Sequence, residues 1–205
     1  MLERMIADGL NLDQSFITSD AAKGGHLGVL KYLHEKGCPW DEGTCREAAE
    51  RGHMALLKYA YENGCPWSKS TCNKAAKGGH LRVLQYAHEN ACPWDAGTCS
   101  EAAIGGHLDV LKYLHENGCP WDENVCAWAA HRGRLEVLKY AHENGCPWND
   151  WTCEAAVISR AGKASDRFRC LKYAHENGCP WDLVSCMRAC VRVCVRARPV
   201  DHSHH

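Results

Sequence analysis

Cysteine and histidine are the residues of this chain that could perform the widest range of chemistry, because both bind metals and both act in nucleophilic catalysis. The sequence has 15 cysteines and 13 histidines among its 205 residues. Twelve of the cysteines form two ladders, one within a recurring Cys-Pro-Trp triplet and one seven positions after it. The members are Cys38, Cys65, Cys92, Cys119, Cys146 and Cys179, followed by Cys45, Cys72, Cys99, Cys126, Cys153 and Cys186. The triplets recur every 27 residues, except that the last follows after 33.

A metal centre is the first chemistry that this pattern has to be tested against. Zinc takes four ligands at the corners of one tetrahedron. One repeat offers Cys38 and Cys45, with His34 four residues before the triplet, and the next set lies about one helical layer away, roughly 8–10 Å. At most three ligands are therefore close together. A Cys/His metal-binding repeat protein remains the alternative function, and we expect no cofactor.

Catalysis is disfavoured by the repetition itself. A catalytic nucleophile is a singular, activated group in a pocket, whereas equivalent copies indicate structure, so we expect that the protein is not an enzyme. The histidine before the triplet is replaced by Tyr61 in one repeat, which favours a hydrogen-bonding packing role. The triplet tryptophans are expected to pack beneath the loops.

Composition gives no support for a nucleic-acid or membrane partner. The formal net charge is −1 and the isoelectric point is near 6.9, so the chain as a whole does not attract polyanions. It has neither a basic leader followed by an apolar core nor an apolar run long enough to span a bilayer. Regularly spaced cysteines without an export signal indicate buried, reduced thiols. We expect a cytoplasmic or nuclear protein.

Each regular repeat predicts two antiparallel helices. Cys45, Ala48 and Ala49 lie at i, i+3 and i+4, a stripe of small residues that allows close approach of a neighbouring helix. A second helix is predicted over about Met54–Asn63, with Gly64 in the left-handed conformation after it. Short polar residues suited to cap the first helix begin every copy. They are Asp41, Ser68, Asp95, Asp122, Asn149 and Asp182.

These units resemble ankyrin repeats. The segments Ala48-Ala49-Glu50-Arg51-Gly52-His53 and Gly105-Gly106-His107-Leu108-Asp109-Val110-Leu111-Lys112-Tyr113-Leu114 are similar to that family's A-A-x-x-G-H-L-x-V-V-x-x-L-L core. The match recurs over about residues 2–190. Ankyrin units have about 33 residues, so the resemblance implies hairpins truncated to the Cys-Pro-Trp loops. The T-P-L-H motif is absent, and its histidine hydrogen bond is not carried over.

The resemblance implies an all-α, ankyrin-type helix-turn-helix repeat solenoid that binds another protein on its concave first-helix and loop face. The short Cys-Pro-Trp-Asp variety is similar to arrays in brown algae, oomycetes and giant viruses. We expect one array over residues 1–198, with a half repeat at each end and about six helix pairs, and a disordered tail over residues 199–205. Met1 falls in the middle of a repeat, and the chain is expected to be a monomer or part of a longer array.

Two segments interrupt the regular pattern. The sixth repeat has six extra residues, and we expect residues 158–167 to form a loop between its two helices. Near the C-terminus, Arg188, Arg192 and Arg196 are spaced to form a basic stripe on a last helix. The sequence assigns a role to neither segment.

The first helices carry the positions that vary most between copies. At 100° per residue, the positions opposite the small-residue stripe are predicted to face outward. These positions hold Gly43, Arg46, Glu47, Glu50, Ser70, Asn73, Lys74, Lys77, Gly97, Ser100, Glu101, Ile104, Asn124, Ala127, Trp128, His131, Trp151, Glu154 and Ala155. A constant scaffold with a changing face is how ankyrin arrays present a partner surface, as the resemblance implies.

Eight of these residues are the candidate partner-binding set: Arg46, Glu47, Lys74, Lys77, Ile104, Trp128, His131 and Trp151. The aromatic members stand out, because tryptophan is enriched in binding hot spots. Trp128 and Trp151 are expected on successive helices with their rings about one layer, roughly 10 Å, apart, and with His131 on the same face. The alternative is that an indole folds over a neighbouring layer.

Overall fold

The computed structural model describes residues 15–180, which form α-helices and no strand. The chain divides into two compact units, Met1–Pro120 and Trp121–His205. In the first unit the helices are α1 (Ser15–Lys23), α2 (Leu27–Glu35), α3 (Glu42–Arg51), α4 (Met54–Glu62), α5 (Lys69–Gly78), α6 (Leu81–Glu89), α7 (Ala96–Gly105) and α8 (Leu108–Glu116). In the second they are α9 (Glu123–Arg132), α10 (Leu135–Glu143), α11 (Asp150–Ile158) and α12 (Ala164–Glu176). The predicted all-α repeat of helix pairs is confirmed.

Short polar residues begin the first helix of each repeat. The Asp41 carboxylate accepts a hydrogen bond from the backbone N–H two residues later at 2.9 Å, and Ser68, Asp95 and Asp122 accept equivalent bonds. Asn149 begins α11 without a bond of this kind from its side chain. Of the predicted caps in the described range, only the last lacks the expected side-chain bond.

The interior of each repeat combines a small-residue helix with a leucine-rich helix. Cys45, Ala48 and Ala49 of α3 have no exposed surface, and α3 packs against both α1 and α5. Leu56 and Leu57 of α4 are buried to within 1% of their surface. The predicted stripe is therefore confirmed as the surface that lets successive first helices approach closely.

A thiol holds each Cys-Pro-Trp loop. Cys65 Sγ donates to the backbone carbonyl oxygen of Asp41 at 3.2 Å. Four further thiols make the same bond to the capping residue of the preceding loop at 3.2–3.4 Å: those of Cys92, Cys119, Cys146 and Cys179. The predicted burial of these cysteines is confirmed, and the hydrogen bond gives each of these thiols a contact that alanine could not make.

The loop tryptophans lie between two aromatic rings. Trp40 stacks on His34 with 4.0 Å between ring centroids and meets Tyr59 of the following repeat edge-on at 6.3 Å. Tyr61 takes the histidine's place against Trp67 at 3.8 Å. Ring stacking is thus the contact that histidine and tyrosine share at this position. The predicted packing role is confirmed, but its main interaction is stacking on the indole instead of a hydrogen bond.

A second set of histidines connects successive repeats at the opposite end. In the first unit, His80 Nε2 lies 3.0 Å from the carbonyl oxygen of Glu50, and the imidazole covers Gly52. Gly52 has a φ of 73°, and a Cβ there would lie 2.5 Å from the ring. Both the left-handed backbone and the close approach require glycine.

The sixth repeat corrects the prediction of a loop over residues 158–167. α11 ends at Ile158 and α12 already begins at Ala164, so the connection is limited to residues 159–163. The second helix has 13 residues instead of the usual nine. Asp166 lies in its first turn, where a carboxylate complements the positive end of the helix dipole, and this local preference favours helix over loop.

One arginine holds the sixth-repeat insertion in place. We use this name for residues 158–169, which comprise the six extra residues and the chain on either side of them. The Arg167 guanidinium donates to the carbonyl oxygens of Ala161 and Gly162, both at 2.9 Å, and to that of Ala156 at 3.3 Å. A Cβ on Gly133 would lie 2.9 Å from Asp166 Cβ, so the insertion covers the glycine that a histidine covers in the first unit.

Several predictions fall outside the described residues. They are the N-terminal half repeat, the capping role of Asp182, the basic stripe over Arg188–Arg196 and the tail over residues 199–205. Within residues 15–180, every helix is too short or too polar for a bilayer span.

Candidate functional site

The predicted binding residues of the first unit gather around a polar groove. Arg46, Glu47 and Lys74 line a groove of about 410 Å³ on the first helices α3, α5 and α7. The other lining residues are Ser70, Asn73 and Glu101. The structure therefore brings three of the predicted residues together, and side chains of both charge signs alternate along the groove.

Most of the charges on this face are paired with one another. Lys74 Nζ lies 3.1 Å from a Glu50 carboxylate oxygen, and Lys77 Nζ lies 3.8 Å from Glu101. Burial acts to raise the pKa of Glu50, but the hydrogen bond and charge of Lys74 outweigh it and lower that pKa. Such part-exposed pairs add at most about 1 kcal/mol each to stability. They do leave this face with little uncompensated charge.

The corresponding face of the second unit is aromatic. Trp128 and Trp151 meet edge to face with 5.7 Å between ring centroids, and His131 lies 5.2 Å from Trp128 in a similar arrangement. We call Trp128, His131 and Trp151 the aromatic cluster. All three side chains are half-buried, so each retains surface that a partner could contact.

The predicted separation of about 10 Å between Trp128 and Trp151 is wrong. That estimate used the distance between helix axes, whereas two long indole side chains on adjacent helices bridge the layer and touch. The alternative, in which an indole folds over the neighbouring layer, describes the geometry better. The two rings thus form one contiguous apolar surface instead of two separate contacts.

Cationic side chains border the aromatic cluster. Burial, followed by the charges of Arg132 and Arg167, lowers the pKa of His131, so this imidazole is neutral near pH 7. His131 Nδ1 and Arg132 Nε are buried atoms without a hydrogen-bond partner among the described residues. The sequence did not single out Arg132 or Arg167. The basic composition of the insertion was a signal that could have found Arg167.

Not every position predicted to face outward does so. Gly43 and Ser100 are buried in the first unit, and Ala127 and Ala155 have no exposed surface in the second. The helical wheel assumed one inward side, but each first helix of a stack also has neighbours on its flanks. Small residues at these positions serve that lateral packing. Ile104 is half-buried on α7, and its role in binding stays a prediction.

The cysteines are placed for packing. Within residues 15–180, no three Cys, His, Asp or Glu side chains come together in a way that could hold a metal ion. All twelve cysteines of this range are buried. Hydrogen bonding to Cys65 and burial raise the pKa of Cys45 far above its ordinary value, and burial raises that of Cys170 to about 12. Thiols of this kind are poor nucleophiles.

A comparison with solved structures identifies the architecture. No protein-family model matches the chain, and no curated protein matches it either. Among solved structures, the chain is similar to the ankyrin repeat domain of human ASB11, with a TM-score of 0.60 and 18% sequence identity. The alignment covers 89% of this chain and 98% of that one. The fold is therefore that of an ankyrin repeat domain.

Proposed function

We propose that this protein is an interaction module that binds another protein through the first-helix face, with the aromatic cluster as its main contact. The observation that carries the proposal is the Trp128–Trp151 pair, whose rings touch at 5.7 Å while both remain half-buried. Neither tryptophan belongs to the repeated stacks that hold the loops together. Large, rigid aromatic side chains of this kind dominate binding energies at protein interfaces.

The charged groove of the first unit is proposed as a secondary contact. Its lining residues Arg46, Glu47 and Lys74, and Lys77 on the same face, already have ion-pair partners within the chain. A partner would have to replace those pairs, so a contact there contributes more to specificity than to affinity.

We propose a non-enzymatic protein of the short, 27-residue ankyrin type, acting as a monomer or within a longer array, without nucleic-acid or membrane partners. Its buried, reduced thiols suit the cytoplasm or the nucleus.

A capture experiment with a matched control tests the proposal. The partner is isolated on the immobilised full chain, purified, and measured against the Trp128→Ala/Trp151→Ala variant. Loss of a hot spot costs at least about 2 kcal/mol, so binding should weaken roughly 30-fold or more. Stability should fall by about 1 kcal/mol for the lost edge-to-face pair, and further for the apolar area that the two half-buried indoles cover.

Trp148→Ala is the matched control in the same unit. Trp148 stacks on His142 at 3.6 Å and meets Tyr173 at 6.3 Å, so its removal should also lower stability but leave affinity within about twofold. Equal affinity of the double variant and the wild-type chain would refute the proposed site.

A further inference from the structure

We infer that the partner presents an acidic segment, which the insertion of the sixth repeat binds next to the aromatic cluster. This inference rests on the proposed function and names the chemistry of the partner. The proposed partner is a polypeptide that carries Asp or Glu residues close to an apolar side chain.

The first argument is the excess of positive charge on the insertion. Arg160, Lys163 and Arg169 are exposed, and none of them forms an ion pair with a described residue within 4.0 Å. The one carboxylate of this segment, Asp166, is half-buried against Gly133. Among the described residues, the insertion therefore presents three cations without an ion-pair partner, in contrast to the paired charges of the first unit.

The second argument is that exposed apolar side chains lie close to these cations in the sequence. Phe168 is 66% exposed and Ile158 is 39% exposed, and both are among the largest exposed apolar side chains of the described residues. A phenyl ring between Lys163 and Arg169 in the chain offers a partner an apolar contact beside two cations. Sites with this combination select acidic segments that also contain an apolar residue.

The third argument is the position of the insertion relative to the aromatic cluster. A Cβ on Gly162 would lie 2.7 Å from the carbonyl oxygen of Arg132, so the insertion rests on the C-terminal end of α9. His131 is the preceding residue, and the charges of Arg132 and Arg167 act on it. One segment of a partner can therefore contact Trp128 and the cations of the insertion together.

Other polyanions fit this surface less well. Three cations neutralise few phosphates, and the formal net charge of −1 gives no long-range attraction to nucleic acid. Stable attachment to a bilayer takes a larger apolar surface or a second anchor. An acidic peptide needs only a few charge pairs and one apolar contact.

The test uses a random-peptide phage library selected on the full chain at low salt. Selected peptides should be enriched in Asp and Glu together with an aromatic residue or Leu. Synthetic copies of the selected peptides should bind the Arg160→Glu/Lys163→Glu/Arg169→Glu variant at least about tenfold more weakly, and their affinity should fall as salt rises. The control is Lys23→Glu/Arg51→Glu/Arg82→Glu, which makes the same change in net charge on exposed residues of the first unit and should change affinity less than about twofold.

The outcomes separate this inference from the proposed function. A pool without acidic enrichment that still depends on Trp128 and Trp151 would overturn the acidic segment and leave the interaction module standing. Acidic peptides that bind the Trp128→Ala/Trp151→Ala variant as tightly as the wild-type chain, but lose binding on charge reversal, would support the charged surface. They would also show that the aromatic cluster is not a contact. An empty pool, or phosphatidylserine vesicles or duplex DNA that bind the wild-type chain more tightly than the selected peptides do, would overturn the inference.

Discussion

The two units share one scaffold but present different first-helix faces. In the first unit the variable positions are charged, and their side chains pair with each other, as Lys74 does with Glu50. In the second unit the equivalent positions hold Trp128 and Trp151, which pack together. The cations of the insertion form no such pair with any residue of the range 15–180. The difference suggests where binding energy is available, because a partner gains most from apolar surface and charge that the chain itself leaves unsatisfied.

The contrast also shows how little the scaffold depends on these faces. The small residues of the first helices, the leucines of the second helices and the thiol bonds of the loops recur in both units. The variable positions can thus differ without loss of the fold. One repeat scaffold can therefore carry different binding surfaces.

The largest predicted effect tests whether the scaffold is equivalent in the two units. Leu84 of α6 and Leu138 of α10 occupy the same repeat position, and both are fully buried. Either Leu→Ala change should lower the free energy of unfolding by about 2–5 kcal/mol, measured by urea denaturation. If one of the two substitutions proves neutral, the units do not share an equivalent core.

An intermediate effect concerns the turn after each second helix. Ala91 in the first unit has a φ of 59°, whereas Gly145 occupies the same position in the second unit with a φ of 82°. Left-handed backbone costs alanine about 1–2 kcal/mol, and the greater entropy of unfolded glycine offsets part of it. Ala91→Gly should therefore stabilise the protein by about 0.5–1 kcal/mol.

Gly145→Ala is the mirror experiment, since a Cβ there would meet no atom within 4 Å. It should destabilise by a similar amount in thermal unfolding. Effects of the same sign for both changes would mean that something other than backbone conformation controls these turns.

The smallest effect is a pH dependence specific to the second unit. Burial and the nearby arginines lower the pKa of His131 below its unfolded value of 6.5, so the unfolded chain binds the proton first as the pH falls. The stability contribution of a neutral His131 is present above about pH 6.5 and is lost as the pH falls through the window below it. His131→Gln should flatten the pH profile of the free energy of unfolding there, and an unchanged profile would contradict the cationic surroundings.

Much of the fold could be predicted from the sequence because the determinants are local and repeated. The cap at Asp41, the small stripe beginning at Cys45 and the glycine at position 64 each specify backbone within a few residues, and the period fixes which elements stack. The structure agrees with these predictions nearly to the residue.

The features that the sequence did not reveal depend on side-chain reach between repeats. The bond from Cys65 to the Asp41 carbonyl joins loops that are neighbours only in the stack. Likewise, the contact between Trp128 and Trp151 depends on rotamers, which helix spacing does not determine. The extension of α12 was missed because a break in the period was interpreted as a loop, although Asp166 favours a helix start.

One measurement tests the aromatic cluster most directly, namely hydroxyl-radical footprinting of the chain with and without its purified partner. Oxidation of the indoles of both units is measured in the same sample, and the loop tryptophans Trp67 and Trp94 serve as internal references. The account predicts that the partner reduces oxidation at Trp128 and Trp151 and leaves the two references unchanged. Protection of the loop tryptophans, with Trp128 and Trp151 oxidised as fast as in the free chain, would contradict it.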